Sequence, residues 1–354
     1  MNKKTRILVG LSGGVDSAVS AYLLKKEGYD VACGFMINYL EEENPECTTL
    51  IDLEEAKKVA TFLELPLYTF DYREEYEKRI IDYIYQEYKS GRTPNPDVFC
   101  NNLIKFDLFL NEAISLGFDK IATGHYAQKK TEDISGEAQK NILLKGLDPS
   151  KDQSYFLSRL SDFQLSKALF PIGNLLKSEV RKIATEAGLP NAERKDSQGL
   201  CFIGKVSMKE FLSRRFPKNP GDILTTDGAI IGKHEGAFSY TIGQRKGIEI
   251  GGGPALFVVA KDTIKNTITV GTSEELSLYG KDCLLSDWIG EIPETGKAYG
   301  AKIRYRQIDQ ACEIKKEIGG NLHIFFTESQ RAITPGQICV VYDSDRVVGS
   351  GVIL

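Results

Sequence analysis

Ile7, Leu8 and Val9 form a short uninterrupted apolar run, and from Ser17 onward Ala18, Ala21, Tyr22 and Leu24 recur at helical spacing until Gly28. The first pattern suits a strand buried on both faces, the second a helix with one face against a sheet. The alternation continues. Residues 31–36 read as a strand, and Leu53, Ala56, Val59, Ala60 and Leu63 make a helical stripe. Residues 67–70 read as a strand, 76–90 as a helix stopped by Gly91, 104–116 as a helix stopped by Gly117, and 120–123 as a strand. Such alternation predicts a parallel sheet with helices on both faces and its ligand at the carboxyl ends of the strands. A last amphipathic helix, 177–187, carries Val180, Ile183, Ala184 and Ala187 on one face and is closed by Gly188 and Pro190.

Beyond Ser207 the pattern changes. Glycines become frequent, and short alternating runs such as NTITVG, AKIRYRQI, LHIFFTE and ICVVYDSDRVVGSGVIL take over. Many short strands with Gly and Asp turns predict a small β-rich central domain followed by a C-terminal β-barrel. The expected boundaries lie near residues 206 and 272, giving 1–205, 206–272 and 273–354.

At 354 residues the chain is too long for one ordinary domain. It holds no apolar run of about 18 residues, so no membrane-spanning helix is expected. Residues 1–6 lead straight into the first strand, which leaves no room for a signal peptide. The seven cysteines are scattered without a C-x-x-C pair, and the three histidines lack metal-ligand spacing. A reducing, cytoplasmic setting is the expectation. With a net charge of −4, any nucleic-acid contact must rest on local rather than overall positive charge.

The most informative local feature joins the first strand to the first helix: Gly10, Leu11, Ser12, Gly13, Gly14, Val15, Asp16, Ser17. Strand, glycine-rich turn and helix together bind phosphate. The glycines let backbone N–H groups approach the anion, and the helix N-terminus adds partial positive charge. Asp16 could hold Mg2+. No Gly-Lys-Ser/Thr follows and the glycines are adjacent, so the loop is neither a Walker A nor a Rossmann turn. It resembles the pyrophosphate loop of the N-type ATP pyrophosphatases, which transfer AMP from ATP to an oxygen of their substrate. By itself the loop leaves that substrate open, and a structural Gly-Gly turn is the plain alternative.

Two cysteines lie among turn residues rather than in apolar stripes: Cys100 in GRTPNPDVFCN and Cys201 in KDSQGLCFIG. Arg92 and Lys105 flank the first, and Arg194 and Lys195 precede the second, a setting that favours thiolate. Inert packing remains the alternative for both.

The strings GLSGGVDS, GRTPNPDVFCN, IKF, ATGHYA, KDQSYFL, KDSQGLCFIG, YTIGQRKG, IRYRQ and TPGQ, in this order over nearly the whole chain, resemble the tRNA-specific 2-thiouridylases. The resemblance implies an adenine nucleotide alpha hydrolase-like N-terminal domain and ATP-dependent 2-thiolation of the wobble uridine of tRNA. Loop residues 10–17 would hold the pyrophosphate of ATP, with Met36 and Gly124 lining the nucleoside pocket. Cys201 would carry a persulfide supplied by a cysteine desulfurase or relay protein. Cys100 would be the nucleophile that releases its sulfur, leaving a Cys100–Cys201 disulfide.

Asp97, the carboxylate nearest Cys100 in sequence, would act as general base and then acid, a turn cap being the alternative. Asn95, Pro96 and Asp97 would meet the target base, and His125, Lys151, Asp152, Gln153, Arg304, Tyr305 and Gln337 would meet the tRNA. If residues 302–306 are a strand, Lys302, Arg304 and Arg306 share one face, either a comb that could follow a phosphate backbone or a plain solvated strand face. Lys205, Lys209, Arg214, Arg215 and Lys218 are either a second RNA contact or a solvated helix face. Other adenylating enzymes, a non-catalytic RNA-binding or persulfide-carrier protein, and an iron–sulfur site at Cys100, Cys201 and Asp97 are the competing readings.

Overall fold

The computed structural model describes residues 4–41, 47–134, 138–195, 208–317 and 319–354. Contacts group the chain into two compact units. One comprises Met1–Ile80, Pro96–Val206 and Asp345–Val347, and the other Ile81–Asn95, Ser207–Ser344 and Val348–Leu354.

In the first unit the strands are β1 (Arg6–Gly10), β2 (Asp30–Ile37), β3 (Leu67–Asp71), β4 (Lys120–Ala122), β5 (Ala127–Ile134), β6 (Ala138–Lys145) and β7 (Ala168–Leu169). Five of them form a parallel sheet ordered β3-β2-β1-β4-β7. The order reverses between β1 and β4, so the carboxyl ends of these two strands open a crevice where such sheets bind ligands. After their first residues, Arg6 and Asp30, β1 and β2 are apolar because both faces are covered. Cys33, Phe35 and Ile37 join Ala18, Val19, Val59, Val180 and Ala184 of three helices on one side. On the other side Phe70, the register partner of Met36, packs edge-on against Phe109 with centroids 5.5 Å apart. The hairpin β5–β6 is an antiparallel addition that the chain's periodicity did not announce.

The helix expected over 76–90 is present but irregular. A short turn at Arg73–Tyr76 and a π-helical stretch at Glu77–Ile81 precede the α-helix Asp82–Lys89. Its later part belongs to the second unit, where Tyr85 stacks on Phe211 at 5.2 Å and donates its hydroxyl to the Phe211 carbonyl at 2.7 Å.

The second unit contains β8 (Gly221–Leu224), β9 (Ile230–His234), β10 (Phe257–Asp262), β11 (Thr267–Gly271), β12 (Tyr279–Gly290), β13 (Tyr299–Lys302), β14 (Gln310–Lys316), β15 (Leu322–Arg331), β16 (Ile338–Asp343) and β17, which runs over Arg346–Ile353. A four-stranded sheet, β10-β11-β8-β9, buries Ile223, Tyr240, Val258, Ile268 and Val270. Six strands, β12-β15-β14-β13-β16-β17, close into a barrel because β12 pairs with both β15 and β17. Its inward-facing residues include Leu285, Ala301, Ile314, Ile324 and Val341. Closure removes the exposed sheet edges that such short strands would otherwise present.

The comb expected at Lys302, Arg304 and Arg306 is not formed. β13 ends at Lys302, and the chain turns over 303–306. Lys302 is buried, 3.6 Å from Asp309 and with its Nζ 5.0 Å from the Tyr342 ring centre. Alternation applies only while the strand lasts, and Ile303 leaves it: its N–H donates to Gln307 Oε1 at 2.9 Å.

Candidate nucleotide and thiol site

The loop after β1 is held by its own hydroxyls and by distant residues of the same unit. Ser17 Oγ accepts the Ser12 N–H at 3.1 Å and donates to the Gly14 carbonyl at 3.0 Å. Gly13 adopts φ +75°, and a Cβ there would stand 2.6 Å from the Asp52 carbonyl oxygen. Its carbonyl accepts Asn191 Nδ2 at 2.8 Å and Arg194 Nη1 at 3.0 Å, while Arg194 also pairs with Asp52. These bonds turn the Gly13 carbonyl toward the protein. The helix Val15–Lys26 then begins at the loop with no side-chain cap on its first amides, which suits an anion.

The end of β4 supports the same loop. Gly124 lies so close that a Cβ would fall 2.6 Å from the Ser17 nitrogen and 2.7 Å from the Asp16 carbonyl carbon. Met36, at the end of β2, is buried, and its Cε lies 3.5 Å from where a Gly10 Cβ would be. The loop, Met36 and Gly124 thus lie close together at the carboxyl ends of β1, β2 and β4.

Asp16 is not idle. Lys177 Nζ lies 2.8 and 2.9 Å from its two oxygens, and the Tyr126 hydroxyl donates to Oδ1 at 2.8 Å. Neither Lys177 nor Tyr126 stood out in the sequence. Among the described residues no group of three or more His, Cys, Asp or Glu side chains is placed to hold a metal. One carboxylate nevertheless fits Mg2+, which is held by one or two carboxylates with water and substrate phosphates completing its shell.

Cys100 ends the short helix Pro96–Cys100, where Asp97 lies one turn earlier on the same face. The thiol residue is 1% exposed. The chain continues as a π-helix, Asn101–Leu108, a geometry that often marks functional positions. Asn101 Nδ2 donates to the Asp97 carbonyl at 3.0 Å and, at 3.4 Å, to that of Phe156. Cys201 and Lys205 lie outside the described residues.

Three family models match the chain in succession: the tRNA methyl transferase HUP domain over residues 5–205, the tRNA methyl transferase PRC-barrel domain over 209–272, and the Aminomethyltransferase beta-barrel domain over 285–353. The tRNA-specific 2-thiouridylase MnmA of Alkaliphilus oremlandii (strain OhILAs) is 47% identical over 359 residues, spanning 99% of this chain and 97% of its own. The protein of the same name from Exiguobacterium sibiricum is 48% identical over 358 residues, spanning 99% and 94%. The chain belongs to the tRNA-specific 2-thiouridylase family.

Of the residues expected from the sequence to meet tRNA, several are engaged within their own unit. His125 is buried between Phe106 and Phe170, with Nδ1 2.8 Å from the Thr123 hydroxyl. Burial, with the nearby Lys105 charge, pushes its pKa well below the ordinary 6.5, so the ring is neutral. Asp152 accepts the Gly146 and Ser154 amides at 3.0 Å each, and the Gln153 side chain accepts the Tyr126 amide at 3.0 Å. Lys151, beside them, is half-buried. Asp152 and Gln153 therefore shape the turn beside Tyr126 whatever else they contact.

In the second unit, Gln337 Nε2 donates to the carbonyls of Thr93 and Pro94 at 2.8 and 3.0 Å, fixing the backbone just before Asn95. Arg304 Nη2 donates to the carbonyls of Arg331 and Ala332, and Tyr305 follows it in the same turn. Three described members of the cationic cluster after Cys201 have acidic partners. Lys209 and Lys218 both pair with Glu235, and Arg215 pairs with Asp82. Arg92, expected near Cys100 by sequence, is held by Glu87, with Nε 2.7 Å from Oε2.

Proposed function

We propose that this protein catalyses ATP-dependent 2-thiolation of the wobble uridine of tRNA. The observation that carries the reading is the loop at 10–17 braced by Gly124, in a chain 47% identical over its length to a named 2-thiouridylase. The proposed domains are an ATP pyrophosphatase domain at 1–205, a central β-rich domain at 206–272, and a tRNA-contacting barrel at 273–354.

The carbonyl oxygen of uracil is a poor leaving group. It attacks the α-phosphorus of ATP, pyrophosphate departs, and the base carries AMP on its former 2-oxygen. Gly10, Leu11, Ser12, Gly13, Gly14, Val15 and Ser17 receive the pyrophosphate, and Met36 and Gly124 border the nucleoside. Asp16 is the residue that would hold Mg2+, which neutralises phosphate charge.

Sulfur arrives on Cys201 as a persulfide from a donor protein. Its terminal sulfur attacks C2 and AMP leaves. The Cys100 thiolate then attacks the Cys201 sulfur, breaking the S–S bond and leaving 2-thiouridine and a Cys100–Cys201 disulfide. An external thiol returns both cysteines to the reduced state by exchange. Asp97 takes the uracil N3 proton during activation. Asn95 and Pro96 meet the flipped base. His125, Lys151, Asp152, Gln153, Arg304, Tyr305 and Gln337 are the proposed tRNA contacts, and the setting is cytoplasmic. No helix among the described residues is long and apolar enough to cross a membrane.

The test is incubation with ATP, Mg2+, unmodified tRNA and a cysteine desulfurase with cysteine as the persulfide source, followed by mass spectrometry of the nucleosides, with Cys100→Ser and Cys201→Ser alongside. 2-Thiouridine from the wild type alone is the expected result. Product from Cys201→Ser would mean that free sulfide bypasses the persulfide. AMP formation without thiolated nucleoside would overturn the tRNA reading.

A further inference from the structure

Lys177 Nζ lies 2.8 and 2.9 Å from the two oxygens of Asp16, the one carboxylate of the loop at 10–17. The Tyr126 hydroxyl holds the same carboxylate from another direction, and Lys177 Nζ stands 5.7 Å from the Tyr126 ring centre. The Lys177 side chain is only 14% exposed. Asp16 is 30% exposed, and an ion pair partly withdrawn from water adds little stability, because desolvation offsets much of the attraction. Its presence beside an anion-binding loop asks for another explanation.

The backbone of Lys177 is anchored independently of its ammonium group. Its N–H donates to Asp148 Oδ2 at 2.9 Å, and Ser150 holds the other Asp148 oxygen through its hydroxyl at 2.6 Å and its amide at 3.0 Å. Lys177 is also the first residue of the helix Lys177–Glu186, which packs in the same apolar cluster as the helix that starts at the loop. The pivot is therefore fixed, while the four-carbon stem leaves the ammonium free to exchange one anion for another.

Resting on the reading that ATP binds this loop, we propose that Lys177 is an exchangeable cation of the nucleotide site. It neutralises Asp16 while no nucleotide is bound. When a divalent ion takes Asp16, the ammonium moves to the β- and γ-phosphate oxygens of the incoming ATP. Asp16 sits in the first turn of the helix whose amides face the loop, so the displaced ammonium finds those phosphates within the reach of its own side chain. No bond is made or broken; one ion pair replaces another. Lys177 thereby favours a triphosphate over a monophosphate, which allows AMP to leave once pyrophosphate has gone.

Equilibrium binding of ATP and of AMP, with and without Mg2+, to wild type, Lys177→Met and Lys177→Arg separates the possibilities. Lys177→Met should weaken Mg·ATP binding by about tenfold or more, as loss of a charge-assisted contact does, and leave AMP within about twofold. Lys177→Arg should restore part of the ATP affinity. Equal weakening of ATP and AMP, or no weakening of either, would overturn the inference while leaving the ATP reading intact. Wild type that binds no ATP would remove both.

A measurement on the wild type needs no substitution. Amine labelling of Lys177, followed by mass spectrometry, should rise with Mg2+ alone and fall when ATP joins it, with AMP giving no protection. Labelling indifferent to ATP would overturn the exchange.

Discussion

Gly124 and Ser17, more than one hundred residues apart, are packed so closely that a methyl group on Gly124 would lie 2.6 Å from the Ser17 nitrogen. Both the nitrogen and the Asp16 carbon beside it are backbone, so neither can rotate away. Gly124→Ala should therefore shift the loop itself. The expected result is a loss of about 1–3 kcal/mol in stability and a marked fall in ATP affinity. Calorimetric binding and urea unfolding measure the two. Unchanged ATP binding in a folded variant would show that the loop tolerates displacement.

The described cysteines should differ in reactivity. Burial pushes the thiols of Cys33 and Cys312 up to about 12, and Cys339, hydrogen-bonded to Cys283 and buried, is raised well above the usual range. Cys47 is partly exposed, and Cys100 is 1% exposed. Brief iodoacetamide treatment at neutral pH should modify Cys47 ahead of Cys100 and leave Cys33, Cys312 and Cys339 unmodified, as read by peptide mass spectrometry. Early modification of Cys339 would contradict the closed barrel core.

The neutral, buried His125 gives stability a pH dependence of known sign. Its native pKa lies well below 6.5, so as pH falls through 6.5 the unfolded chain gains a proton that the native chain does not. This contribution to stability is fully present above about pH 6.5 and is lost below it, by at most about 1.4 kcal/mol per pH unit. His125→Gln, which keeps a partner for Thr123, should flatten the stability profile between pH 7 and pH 5. Parallel urea-midpoint curves for the two proteins would reject this assignment.

Gln337 has a structural duty separate from any RNA contact. Gln337→Ala leaves the Thr93 and Pro94 carbonyls without the donor that ties them to the barrel side of their unit. A cost of about 1–2 kcal/mol, a few degrees in Tm, is expected in the absence of tRNA. A Tm equal to wild type would mean that water replaces the amide without loss.

Much of the architecture was legible because it is encoded by local period. The run Ile7–Val9, the stripe Ala18–Leu24 and the stop at Gly28 depend on near neighbours, and all appear where expected. The glycine-rich turn was equally plain, because its backbone requirements are local. The π-helix after Cys100 was not, since it repeats no simpler pattern than an α-helix does. The comb at 302–306 does not form because period two says nothing about where a strand stops, and a turn held by Gln307 ends it at Lys302.

The site divides in the same way. The chain alone determined which short segments could meet phosphate, thiol and base chemistry, since those demands rest on residue types at fixed short spacing. Only the tertiary structure decided that Lys177 and Tyr126 close on Asp16, that Asn191 and Arg194 hold the Gly13 carbonyl, and that Arg304 is bound to backbone oxygens. These partners are separated by 27 to 181 residues. Their meeting follows from strand order and packing, which bring together side chains that no local period relates.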